Sequence, residues 1–218
     1  PMKARINALN IFVILAMALL TSGLSLAAEE NPRVKLETEM GDIMIELYPS
    51  KAPVSVDNFI KNVNNFHYDG LIFHRVIKGF MIQTGGFTFD FSPRDAGRPA
   101  IINESSNGLT NRRGSVAMAR MNDPDSAKAQ FFINHKTNRF LDPKGDNKGY
   151  AVFGDVISGM DVVDAIASLE TQTLGMYADV PVKTTRILSA RLVNPKAWTP
   201  LAEPEPEVAA YEKPIPVR

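Results

Sequence analysis

The chain has 218 residues, 44% of them apolar and 22% charged, which suits one globular domain, or two small ones, and excludes wholesale disorder, a multi-span membrane protein or a fibre. Twenty-four basic residues balance twenty-four acidic ones, so no global field recruits nucleic acid or anionic lipid. Cysteine is absent, which excludes disulfides, thiolate zinc sites, iron–sulfur clusters and thiol nucleophiles together.

The first element reads as an export signal. Lys3 and Arg5 precede an apolar run from Ile11 to Leu20, and small residues Ser25 and Ala27 suit cleavage near Ala27. The alternative, a membrane anchor, wants ~20 uninterrupted apolar residues, more than this run supplies. Residues 1–28 are therefore read as a signal peptide, leaving no stable membrane span after cleavage and moving the net charge from 0 to −2 as Lys3 and Arg5 depart.

Residues 34–48 alternate apolar and polar positions around Met40-Gly41-Asp42, the pattern of a hairpin that buries Val34, Leu36, Ile43, Ile45 and Leu47. Val56, Phe59, Ile60, Val63 and Phe66 form one helical stripe after Pro53. Short strands are expected near 71–77, 80–84, 98–102, 115–119, 130–134 and 150–156. A second helix opens at Gly159 and runs to Leu169, and KTTRILSARLV closes the domain near 193. Many short strands with two separated helices suggest a mainly β domain over 33–193, built as a closed antiparallel barrel capped at its ends. From Asn194 to Arg218, six prolines and repeated glutamates predict a disordered tail, with Trp198 at its start packing on the domain as an anchor.

The segment LIFHRVIKGFMIQTGG at 71–86 embeds Arg75 and Gln83 among Phe73, Phe80, Met81 and Ile82. If 71–77 and 80–84 pair, alternation puts Phe73, Arg75 and Ile77 on one face, with Met81 and Gln83 on one face of the partner. An isolated arginine in such a strand is more often exposed or held by a carboxylate than functional. His67, His74 and His135 lack metal-ligand spacing, and Asp142 and Asp146 lack the ligand alternation of a calcium loop, so neither a metal nor a cofactor is expected.

Four motifs in order alter that balance: FHRVIKGFMIQTGG at 73–86, AMAR at 117–120, QFFIN at 130–134 and YAVFGDVISGMDVVDAI at 150–166. With them the chain resembles the cyclophilins, peptidyl-prolyl cis/trans isomerases, over about 33–193. The resemblance implies an eight-stranded barrel with two capping helices and no cofactor. It puts Arg75 at the catalytic arginine position, Phe80, Met81, Phe132 and Leu141 at the proline pocket, and Gln83, Ala119 and Gln130 at peptide-backbone contacts. Phe140 stands where eukaryotic members usually carry tryptophan and Tyr150 where they carry histidine, both as substrate-binding positions. The combination resembles bacterial, often periplasmic, members, in accord with the signal peptide. Loss of the indole N–H implies weak cyclosporin binding. Gly86 replaces a common acidic residue, a difference expected to matter little. The implied partners are unfolded, proline-containing polypeptides, and the implied state is a monomer.

The chemistry agrees with these residue types. X–Pro isomerisation is slow because amide resonance imposes a barrier of about 18–20 kcal/mol, and the twisted transition state returns a lone pair to the proline nitrogen. A guanidinium aimed at that nitrogen favours the transition state over the planar ground state. The alternative is a proline-binding chaperone module that holds such segments without turnover.

Overall fold

The computed structural model describes residues 30–202; residues 1–29, on which the expected export signal falls, and residues 203–218 lie outside the described residues. Strands β1 (Arg33–Thr38) and β2 (Gly41–Leu47) form the expected hairpin, with Val34 opposite Ile45 and Leu36 opposite Ile43. All five residues expected to point inward are fully buried.

Helix α1 (Pro53–Asn64) begins with proline, but its own N-cap, Ala52, offers no side-chain acceptor. Glu104 supplies it from a distant loop, accepting from the amides of Val54 (3.0 Å) and Ser55 (2.7 Å) and from the Ser55 hydroxyl (2.6 Å). A carboxylate there satisfies orphan amides and complements the positive end of the helix dipole. Val56, Phe59, Ile60 and Val63 are buried as the stripe predicts. Phe66 is not: the helix has ended, its φ is +56°, and its ring is 59% exposed beneath the Arg191 guanidinium, 4.7 Å from the centroid.

Six further strands complete the main sheet: β3 (Arg75–Ile77), β4 (Met81–Thr84), β5 (Ser115–Met118), β6 (Phe131–Asn134), β7 (Val152–Ser158) and, last in the chain, β10 (Ile187–Leu192). The order is β10-β1-β2-β7-β5-β6-β4-β3, antiparallel throughout. The expected full closure is corrected: the sheet curls through 224° as an open half-barrel. Its edge strands β3 and β10 do not share a ladder. The gap between them is bridged by a few bonds from the segment before β3 to the start of β10, Gly70 N–H to Ile187 O (2.7 Å), Ile187 N–H to Leu71 O (2.8 Å) and Phe73 N–H to Thr185 O (3.1 Å). β3 is three residues long and makes its one ladder with β4.

Helix α2 (Met160–Ala167) is shorter than expected and starts from Gly159, whose φ is +88°. That glycine backs against the Asp42 carbonyl and Ile43 Cα, where a Cβ would collide. The expected strand at 98–102 is a loop with one bridge, Ile101 to Ala127. A second, two-stranded sheet, β8 (Thr171–Leu174) with β9 (Tyr177–Pro181), was not foreseen, because β8 is exposed at every position and shows no apolar alternation.

The main core lies on one face of the sheet around Phe59, Tyr68, Phe131 and Phe153, whose rings meet at 5.2–5.4 Å. Burying each such side chain contributes about 1.5–3 kcal/mol. The segment after 193 departs from the expected disorder in that residues 195–197 form a 3-10 turn, while Trp198 packs against this core as the expected anchor. Asn194 accepts from the Arg33 amide (2.6 Å) and donates to the Asn31 carbonyl (2.9 Å), while the Leu201 amide donates to Asp57 (2.9 Å). No helix among the described residues is long and apolar enough to cross a membrane.

Candidate active site

Alternation along β4, β5 and β6 divides their side chains between two faces. Ile82, Val116 and Ile133 enter the main core; Met81, Ala117 and Phe132 form a second apolar cluster with Leu141 and Val152 on the opposite face. Register then assembles the site: Arg75 sits opposite Gln83 and Ile77 opposite Met81, while Phe132 sits opposite Gln83 on one side and Ala117 on the other. A charged fork and an amide thus stand beside an apolar floor.

The resulting cleft, about 110 Å³, is lined by Arg75, Phe80, Met81, Gln83, Ala119, Arg120, Phe132, Leu141 and Tyr150. Eight of the ten residues singled out in the sequence meet there. Gln130 lies behind, its side-chain oxygen accepting from Gln83 Nε2 at 2.9 Å. Phe140 stands outside the lining, beside Phe80. The 3-10 turn Arg139–Leu141 sends Leu141 inward, leaving Phe140 68% exposed and stacked on Phe80 at 5.5 Å. Phe73 is corrected, because residues before Arg75 are outside the ladder and its ring enters the main core.

The expectation for Gly86 also changes. A Cβ there would stand 2.6 Å from Gln130 Cδ, so the missing side chain is what gives the Gln130 amide its place beside Gln83.

Beneath the floor runs a buried amide network with no obvious sequence signal. Asn134 Nδ2 donates to Asn111 (3.1 Å) and Ser115 Oγ (2.9 Å), while Asn138 Nδ2 donates to Asn134 (2.7 Å) and to the Phe80 carbonyl (2.9 Å). Asp142 anchors the same network by accepting from the Asn111 amide (2.7 Å) and side chain (3.0 Å). Such a satisfied network fixes the turns bearing Phe80 and Leu141.

Two charged neighbours of the cleft escaped the sequence. Arg120 ends the AMAR string and stacks on Tyr150, 4.5 Å from its centroid. Asp179 on β9 places Oδ2 3.7 Å from Arg75 Nε. His74, next to Arg75, is buried against Phe87 at 4.8 Å, and burial, aided by the Arg75 charge, pushes its pKa down to about 4. It is neutral at working pH. Among the described residues no three His, Asp or Glu side chains gather as a metal site. Two larger grooves, 410 and 480 Å³, lie elsewhere, but their arginines are spoken for: Arg191 pairs with Asp69 at 2.8 Å and Arg186 with Glu39 at 2.5 Å.

Comparison with known proteins agrees with this geometry. The family described as cyclophilin type peptidyl-prolyl cis-trans isomerase/CLD matches residues 33–192. The chain is 49% identical to a peptidyl-prolyl cis-trans isomerase of Acinetobacter baylyi, across 81% of this chain and 94% of the relative. It is 45% identical to peptidyl-prolyl cis-trans isomerase A of Dickeya dadantii, across 84% and 95%. Among solved structures it is similar to a Cryptosporidium parvum cyclophilin-type isomerase determined in the presence of the dipeptide Ala-Pro, with 25% identity, a TM-score of 0.61 and coverage of 73% of this chain and 98% of that one. A cyclophilin from Hirschia baltica matches with 27% identity and a TM-score of 0.61 over 77% and 76%. The chain belongs to the cyclophilin-type peptidyl-prolyl cis-trans isomerases.

Proposed function

We propose that this isomerase acts on X–Pro bonds of exported polypeptides in the periplasm, working as a monomer by arginine-assisted, non-covalent stabilisation of the twisted amide. The observation that carries the mechanism is the placement of Arg75 and Gln83 on one edge of an apolar cleft floored by Met81, Phe132 and Leu141. The proline ring rests on that floor, the Arg75 guanidinium donates to the pyramidal nitrogen, and Gln83 and the Ala119 backbone hold the flanking peptide. Arginine suits this task better than lysine because its planar fork can also hold a carbonyl.

The energies apportion the work. A rate gain of roughly 10⁵ requires about 7 kcal/mol off the barrier. One charge-assisted hydrogen bond supplies about 1.5–3 kcal/mol. The rest must come from orientation and from a cleft that excludes water and disfavours the polar planar amide. The periplasmic setting rests on the sequence of residues 1–28, and weak cyclosporin binding on phenylalanine at 140 in place of an indole donor.

The test is a protease-coupled assay of a short X–Pro peptide with wild-type protein and Arg75→Ala, alongside peptide affinity. A fall in turnover of about 10- to 100-fold in the variant while affinity is mostly retained supports the mechanism. Equal loss of affinity and turnover indicates that Arg75 serves binding, the chaperone-like alternative.

A further inference from the structure

Arg120 is held in the cleft more firmly than a lining residue needs to be. Its Nε donates to the Gly149 carbonyl at 3.0 Å, and one terminal nitrogen donates to the carbonyls of Met121 (2.8 Å) and Asn122 (3.4 Å). The guanidinium lies over the Tyr150 ring, which itself lines the cleft and meets Phe132 edge-on at 5.7 Å. Its other terminal nitrogen donates to no described residue, and no carboxylate among the described residues pairs with it. The acidic side chains of the adjoining loop are turned to the backbone instead: Asp123 accepts from the Asp125 amide at 2.9 Å and Asp125 from the Asn103 amide at 2.7 Å. Arg75, by contrast, has Asp179 beside it. The cleft therefore presents one fixed guanidinium whose charge is unanswered within the described fold, over a ring that meets the floor on which the proline rests.

We infer that Arg120 is a specificity-determining residue that engages the carboxylate of an acidic residue flanking the substrate proline. This rests on the proline-cleft reading above. Three carbonyls and a ring face fix the plane of the fork beforehand, so little side-chain freedom is lost when a carboxylate arrives. A lysine at the same substrate position meets a like charge and is disfavoured. The substrate class is thus Glu–Pro, Asp–Pro or Pro–acidic segments in preference to basic ones.

The experiment uses the full chain and two peptide series, Ala-Xaa-Pro-Phe and Ala-Pro-Xaa-Phe, with Xaa as Glu, its neutral isostere Gln, or Lys. Each is followed by kcat/KM and, independently of turnover, by calorimetric affinity. In at least one series, Glu is expected to exceed Lys by about five- to tenfold at low ionic strength, with Gln between them. The ratio should shrink in high salt. Arg120→Gln should bring it close to one, whereas Arg120→Lys retains part of it. Equal values for Glu, Gln and Lys in both series, in wild-type protein, overturn the proposal without any variant having to fold. So does an undiminished ratio in Arg120→Gln. If no peptide is accelerated but the charge preference persists in affinity, the catalytic mechanism falls and the role of Arg120 stands.

Discussion

Arg75 Nε lies 3.7 Å from Asp179 Oδ2, across the contact between β3 and the β8–β9 hairpin. Asp179 holds φ at +60°, a conformation costly for most side chains and tolerated by Asp and Asn. The strained residue is the one that faces the guanidinium. Both partners are about 40% exposed, so the pair stabilises the fold by no more than about 1 kcal/mol. Its expected effect is on where the fork points. Asp179→Asn keeps the backbone preference and removes only the charge. We expect kcat/KM to fall about two- to fivefold, mainly in kcat, with an unchanged melting temperature; a loss confined to KM would mean that Asp179 meets substrate instead.

Arg75 itself should cost far more. Removing one charge-assisted hydrogen bond made in the transition state predicts a fall in kcat of about 10- to 100-fold for Arg75→Ala. Arg75→Lys should recover only part of it, since an ammonium lacks the planar fork that aims parallel donors at nitrogen and carbonyl together. Stopped kinetics at saturating peptide separates the two variants.

How much of this was legible in the sequence depends on whether a residue's role is local or assembled. The hairpin and α1 stripe announce themselves through periodicity, and Arg75 and Gln83 through their apolar company. Arg75, Met81, Gln83 and Phe132 come together because strand register converts that alternation into a shared face, and turns and loops bring Phe80, Ala119, Leu141 and Tyr150 to it. Asp179 gave no signal: it lies on a hairpin whose first strand is exposed throughout, and only tertiary contact brings it to Arg75. The buried Asn111–Asn134–Asn138 network is likewise invisible, because an isolated asparagine reads as a turn residue. Phe66 and Phe140 failed in the opposite way. Phe66 reads as part of the buried stripe and Phe140 as a substrate-binding position, yet the helix ends before one and a 3-10 turn rotates the other outward.

Gly86 makes a sharper prediction than its sequence suggested. Any side chain there displaces the Gln130 amide and with it the 2.9 Å bond to Gln83. Gly86→Ala is expected to raise KM severalfold with a smaller change in kcat, and Gly86→Glu to do more. Wild-type KM in both variants would show that Gln130 has no part in holding peptide.

The pH behaviour separates activity from stability. Among the described residues of the cleft, none needs to titrate for the arginine mechanism, so kcat/KM should be flat between about pH 6 and 9; a bell-shaped profile would point to general acid–base chemistry. Stability should not be flat at lower pH. The His74 ring titrates near 6.5 when unfolded and about 4 when buried, so the unfolded chain takes up the extra proton first. Stability present above pH 6.5 is lost as pH falls toward 4, by up to about 3 kcal/mol from this group. His67, also lowered chiefly by burial, acts in the same direction. His74→Phe, which preserves the ring contact with Phe87, should flatten that part of the denaturation midpoint's pH dependence; an unchanged slope would assign it elsewhere.

The docked segment after 193 yields the last prediction. Trp198 is the chain's single tryptophan and packs against the main core, while Asn194 ties the segment to Asn31 and Arg33 at the start of β1 and Leu201 ties it to Asp57 on α1. The segment therefore clamps the first strand and the first helix together. Truncation after residue 193 should cost about 2–4 kcal/mol of unfolding free energy, combining a lost large side chain with several exposed hydrogen-bond partners. Truncation after residue 202 leaves every one of those contacts in place and should cost little. Because no other indole contributes, tryptophan fluorescence reports directly on this clamp. A fluorescence transition coincident with loss of far-ultraviolet circular dichroism is expected, whereas an earlier one would mean that the segment detaches before the sheet unfolds.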